Sequence, residues 1–122
     1  MIEINKKINR IEINLTAFSM GKDLCVILTG GDTPHLGAIT ASSQSLAPQT
    51  IVFDKHKENY VTEMLAEILR KDYLGNFVIC CGIHLDNIEK MEINDVMNLC
   101  RQMIIELCNK LRHNQENNRP VN

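Results

Sequence analysis

Two short stretches carry the residues most able to do chemistry, and they are built alike. The first is LTGGDTPHLGAI, Leu28 to Ile39, which gathers Gly30, Gly31, Asp32, Thr33, Pro34, His35 and Gly37 between two apolar runs. Paired glycines allow positive φ angles and let a ligand approach the main chain closely. Successive amides in such a bend form a concavity suited to phosphate. Asp32 can accept the amide hydrogens of its own turn, or meet a cation or a polar ligand group. Pro34 stiffens the segment and presents His35 from a rigid support. A plain hairpin corner, with the aspartate capping its own turn, accounts for GGD but leaves Pro34 and His35 without a role.

The second stretch is GIHLDN, Gly82 to Asn87. In an extended chain His84 and Asp86 point to the same side. They can then share a proton, orient one another, or face a metal. Asp-Asn is also an ordinary turn pair, and His84 can be a simple surface histidine. The two stretches meet at one end of a sheet only if the strands before them are parallel neighbours; antiparallel strands hold them apart. Zinc on His35, His84, Asp32 and Asp86 matches no metal spacing. An enzyme using His35 or His84 as general base beside Asp32 or Asp86 lacks a recognised nucleophile.

Other chemistry is weaker. Ser42, Ser43 and Ser45 form no nucleophile elbow, and GGD is neither a phosphate loop nor a dinucleotide fingerprint. Cys80 and Cys81 are adjacent in a strand, hence on opposite faces. Met64, Met91, Met97 and Met103 fill gaps in core and interface. His56 and Lys57 belong to a solvated loop, and His113 to a frayed end.

The elements that must hold these residues follow from pattern. The chain has 122 residues, 44% hydrophobic and 23% charged, enough for one packed domain. Net charge −2 and 4% aromatic residues point to neither nucleic acid nor an anionic membrane. The start, MIEINKKINRIEIN, is alternating and charged rather than a leader, and no apolar run reaches a membrane span. A cytoplasmic protein is expected, its five cysteines buried and reduced. Alternation from Ile11 to Phe18 reads as a strand, MGKD as a tight turn, and DLCVILT as a strand apolar on both faces. LGAITASS and Thr50–Asp54 read as two more strands. Val61, Met64, Leu65, Ile68 and Leu69 mark one helix face, with Gly75 stopping the helix in a left-handed conformation. NFVICCGI is a second strand covered on both sides. Ile93, Val96, Met97, Cys100, Ile104, Leu107, Cys108 and Leu111 form the stripe of a long helix.

The order ββββαβα predicts an α+β domain over residues 1–112: a mostly antiparallel meander with two helices on one face. Residues 50–83 form a crossover unit within it, and a polar, disordered tail follows over 113–122. The two-sided strands need cover on the face away from the helices, which a second subunit can supply.

TGGDTPHLGAI and CGIHLDNI together resemble the LpdD-like family, over roughly residues 8 to 112. These small proteins are described as prenylated-flavin chaperones, and in some organisms as the small D subunit of gallate-type decarboxylases. The resemblance implies a fold like the proteasome assembly chaperones, with a homodimer formed through the sheet face. It implies a non-catalytic carrier of prenylated flavin mononucleotide that assists maturation of a UbiD-type aromatic acid decarboxylase. The decarboxylase and its flavin prenyltransferase are then the expected partners. Gly30, Gly31, Asp32, Thr33, Pro34, His35, Gly37, His84 and Asp86 become the cofactor-binding candidates. The glycine turn would take the phosphate, and His35 or His84 would bond to the phosphate or the ring edge. Tyr60, Tyr73, Phe18, Phe53 and Phe77 are the available stacking partners. The alternative is a ligand-free assembly protein whose GGDTPH segment is a structural corner.

Overall fold

The computed structural model describes residues 1–53 and 58–117, so residues 54–57, among them Asp54, His56 and Lys57, and residues 118–122 lie outside the described residues. Alternating apolar residues build six strands: β1 (Ile2–Ile8), β2 (Ile11–Met20), β3 (Asp23–Gly31), β4 (Ala38–Ser42), β5 (Gln49–Val52) and β6 (Phe77–His84). Two helices accompany them, α1 (Asn59–Asp72) and α2 (Lys90–Asn117). The α+β class and the mostly antiparallel sheet agree with the sequence reading, with one strand more. IEINKKI is β1, paired antiparallel to β2 through a two-residue turn in which Asn9 takes φ 52°. Asn tolerates that left-handed conformation better than most residues.

The sheet is not a simple meander. Its order is β1-β2-β3-β6-β4-β5, with β6 inserted between β3 and β4. β3 and β6 run parallel, while every other neighbouring pair is antiparallel. Because β4 opposes both β5 and β6, those two run the same way, and α1 carries the chain across between them. The two strands apolar on both faces thus lie side by side at the centre.

One face of the sheet holds the core. Ile11, Ile13, Leu15, Leu24, Val26, Leu28, Phe77, Ile79 and Cys81 are buried there with Leu65 and Leu69 of α1 and Cys100, Met103, Ile104 and Leu107 of α2. Both helices therefore cover the same face. β4 turns a polar inner row to it, where buried Thr40 donates to Thr62 Oγ1 of α1 at 2.7 Å. Among the described residues no element covers the opposite face. Phe18, Ile27 and Ile51 are exposed on it, and Cys25, Ile39, Ala41, Val78 and Cys80 are half-exposed.

Four local expectations need correction. Gly75 does not stop α1 in a left-handed conformation: positive φ among the glycines occurs at Gly21 and Gly31. Tyr73 is extended after the helix, and Gly75 is small because it passes against the Lys22 carbonyl. Ile93, placed in the apolar stripe, is exposed, whereas Leu99 and Met103 are buried. Of the five free thiols, Cys81, Cys100 and Cys108 are buried but Cys25 and Cys80 are half-exposed. Burial alone pushes the Cys100 thiol up to about 12. α2 also continues helically through 113–117, residues assigned above to the tail.

Candidate functional site

The parallel pairing of β3 with β6 brings the two motifs to one end of the sheet, with Gly31 in register with His84. Just beyond, the Asp32 amide donates to the His84 carbonyl at 2.6 Å, and the Asp86 amide donates to Asp32 Oδ2 at 2.9 Å. The Gly37 amide donates to the Cys81 carbonyl at 2.9 Å, folding the first loop back along β6.

The glycines of this corner are packed against neighbouring groups. A Cβ on Gly31 would collide with the His84 carbonyl, one on Gly82 with the His35 carbonyl, and one on Gly37 with the Glu58 carboxylate. Only Gly31 of the first pair has positive φ, at 79°. These residues are small because two backbones and a buried carboxylate pass where side chains would stand. The Asp32 and Gly37 amides are already bonded to backbone.

What the loops bring together is a pair of imidazoles. The His35 and His84 rings meet edge to face, centroids 6.2 Å apart at 81°. His84 Nε2 lies 3.0 Å from Asp86 Oδ1, the same-side arrangement the extended spacing predicts. His35 Nε2 lies 2.7 Å from Glu58 Oε1, and its Nδ1 is 3.3 Å from the Thr33 carbonyl. Glu58, immediately before α1, is buried. Nothing in the sequence singles it out, since an acidic residue at a helix start is ordinary.

Arg10, in the β1–β2 turn, ties the lower edge of the corner. It donates from Nε to Glu92 Oε2 at 2.6 Å and from a terminal nitrogen to Glu92 Oε1 at 2.9 Å. The same terminal nitrogen donates to the Asp86 carbonyl at 2.9 Å, and Asp32 Oδ2 is 3.9 Å from the other. The hydrogen bond from Arg10, with a backbone amide from Glu89, holds the Glu92 carboxyl down at about 2. The reciprocal bond raises Arg10.

Two hollows flank the corner. One, of roughly 710 Å³, opens beside Arg10 and is walled by Asp32, Asp86, Glu89, Glu92 and Asp95. The other is an apolar cleft of roughly 400 Å³ between the start of α1, the end of β6 and the first turns of α2. Its walls include Val61, Ile83, Leu85, Ile88, Ile93 and Met97, with His84, Glu58 and Tyr60 at its polar side. Of the aromatic residues, only Tyr60 lines this cleft. Tyr73 and Phe77 are buried elsewhere, Phe18 is on the uncovered sheet face, and Phe53 is exposed after β5. Among the described residues no three His, Cys, Asp or Glu side chains stand within reach of one metal ion. No helix among them is long and apolar enough to cross a membrane.

Residues 7–112 match the family model described as the prenylated flavin chaperone LpdD-like domain. The chain is also 34% identical over 79 residues to Protein LpdD of Lactiplantibacillus plantarum, an alignment covering 61% of this chain and 58% of that protein.

Proposed function

This chain belongs to the prenylated flavin chaperone LpdD-like family, and from that premise we propose that it carries prenylated flavin mononucleotide and hands it to a UbiD-type decarboxylase without catalysing a reaction itself. The observation that carries this reading is the convergence of the two family-like motifs. His35 and His84 stand edge to face beside a cleft whose volume lies within the range of small-molecule sites. Bound there, the cofactor would supply its own ring chemistry; the chain supplies position and exclusion of water.

The residues present suit a carrier better than an enzyme. Each imidazole is engaged by a carboxylate, Glu58 or Asp86. The half-exposed thiols, Cys25 and Cys80, lie on the far face of the sheet. That face supports a homodimer: it exposes Phe18, Ile27 and Ile51. A cytoplasmic place alongside the decarboxylase and its flavin prenyltransferase completes the reading. A ligand-free assembly protein would account for the sheet face but leaves the histidine corner and the cleft unused.

The test is retention. Purified full-length chain is mixed with prenylated flavin mononucleotide, passed through gel filtration and read by visible absorption. Co-elution of the chromophore, and faster activation of an apo decarboxylase by the loaded protein than by free cofactor, are expected. A folded protein that elutes colourless sinks the carrier reading.

A further inference from the structure

The roles of the two histidines separate once their ring nitrogens are followed. Both nitrogens of His35 face oxygen acceptors of the chain, Nε2 at 2.7 Å from the Glu58 carboxylate and Nδ1 at 3.3 Å from the Thr33 carbonyl. His35 is therefore a brace. It ties the first loop to the start of α1, and Gly37 leaves the space the Glu58 carboxylate occupies. His84 is different. Its Nε2 bonds to Asp86 Oδ1, and a carboxylate only accepts, so that nitrogen carries the proton and Nδ1 keeps its lone pair. Among the described residues Nδ1 has no partner, and His84 lines the apolar cleft while His35 does not.

We infer that this cleft, rather than the glycine loop, is the seat of a flat, mostly apolar heteroaromatic ring whose N–H edge is met by His84 Nδ1. The inference rests on the carrier reading and assigns the ring to a place. Ile83 of β6, Ile88 of the connection after it, and Ile93 and Met97 of α2 supply the apolar walls, and Tyr60, 65% exposed, stands at the mouth where it can close over a ring. Exposed Ile88 and Ile93 are unusual so near a polar corner; a ring laid against them removes apolar surface from water. Asp86 is a positioning residue, fixing which nitrogen of His84 faces the ligand. The ring tolerated here is one with a hydrogen-bond donor on its rim. A purely acceptor edge would meet a lone pair with a lone pair.

Amide shift mapping of the isotope-labelled full chain separates the outcomes. Adding prenylated flavin mononucleotide is expected to move the amides of Ile83, His84, Leu85, Ile88 and Val96. Lumichrome, the bare tricyclic ring, should move the same set at higher concentration. Ile93→Trp fills the cleft from an exposed position and should weaken binding of the full cofactor at least tenfold. His84→Phe keeps a flat side chain, removes the acceptor and should do the same. Shifts confined to residues 30–37, with Ile93→Trp binding normally, overturn the cleft assignment and leave the carrier reading standing. Shifts nowhere on a folded chain overturn both. A lumichrome that at saturation leaves the cleft amides unmoved overturns the ring assignment.

Discussion

At Gly82 a single added methyl would meet the carbonyl of His35 well inside van der Waals contact, with backbone on both sides and no flexible side chain to yield. At Gly21 the same methyl meets nothing within 4 Å, and only the φ of 64° resists it. The two substitutions therefore separate packing from backbone strain. Gly82→Ala should cost about 3 kcal/mol or more because β6 and the first loop must part. Gly21→Ala should cost on the order of 1 kcal/mol. Urea unfolding midpoints read the difference, and equal losses would refute the close-approach account. Charge gives a second residue-scale test. The Glu92 carboxyl titrates near 2 in the folded chain, against an ordinary value of 4.5. Its tie to Arg10 is then fully present above about pH 5 and is lost as pH falls toward 2. Melting temperature should fall more steeply between pH 5 and 2 in the native chain than in Glu92→Gln. Parallel slopes would mean the tie contributes nothing. At this scale His84 and Asp86 were legible, because period two fixes their side. Glu58 and Arg10 were not: their partners lie 23 and 82 residues away, and no local pattern announces such a choice.

The elements show the same division between local and distant causes. Face was readable from period in β2, whose row Ile11, Ile13, Leu15 and Ala17 is buried, but not in β3 and β6, which are apolar on both sides. The two-sided apolarity of Leu24–Leu28 and Phe77–Cys81 marked the strands that now pair at the centre of the sheet. Pairing order was not readable, since β6 reaches its place between β3 and β4 only after two strands and a helix have intervened. β1 was hidden for another reason. As an edge strand it buries only Ile4 fully and spends the rest of its length on charged or half-exposed residues. Helix α2 is where an element-scale prediction is sharpest, because its two sides differ so much. Leu107 is fully buried against the sheet while Ile105, two residues earlier, is 47% exposed. Leu107→Ala should cost about 2–5 kcal/mol through lost burial and a cavity. Ile105→Ala should stay within about 0.5 kcal/mol. Comparable losses in chemical denaturation would mean that α2 packs through a different face.

For the whole molecule the question is what covers the bare side of the sheet. The helices cover one face, and the described residues form no third layer on the other. Phe18, Ile27 and Ile51 lie in the open there, flanked by half-exposed Cys25, Ile39, Ala41, Val78 and Cys80. A contiguous apolar area of this kind is a signal of association in a soluble protein. A two-fold partner presenting the same rows satisfies it with a self-complementary contact. The proposed cleft opens between the helices and the end of β6, so a dimer formed through the bare face would leave it accessible. Ligand binding and association are then separable properties. Ile27→Lys places a charge at the centre of the bare face while its neighbours on the core side stay as they are. Light scattering should show the native chain as a dimer and Ile27→Lys as a monomer with unchanged circular dichroism. The monomer should still take up prenylated flavin within about threefold of the native affinity. A native chain already monomeric at micromolar concentration would rule out the sheet-face dimer. A variant that stays dimeric would place the interface elsewhere. A folded monomer that no longer binds the cofactor would show that the cleft is completed across the interface, tying binding to association.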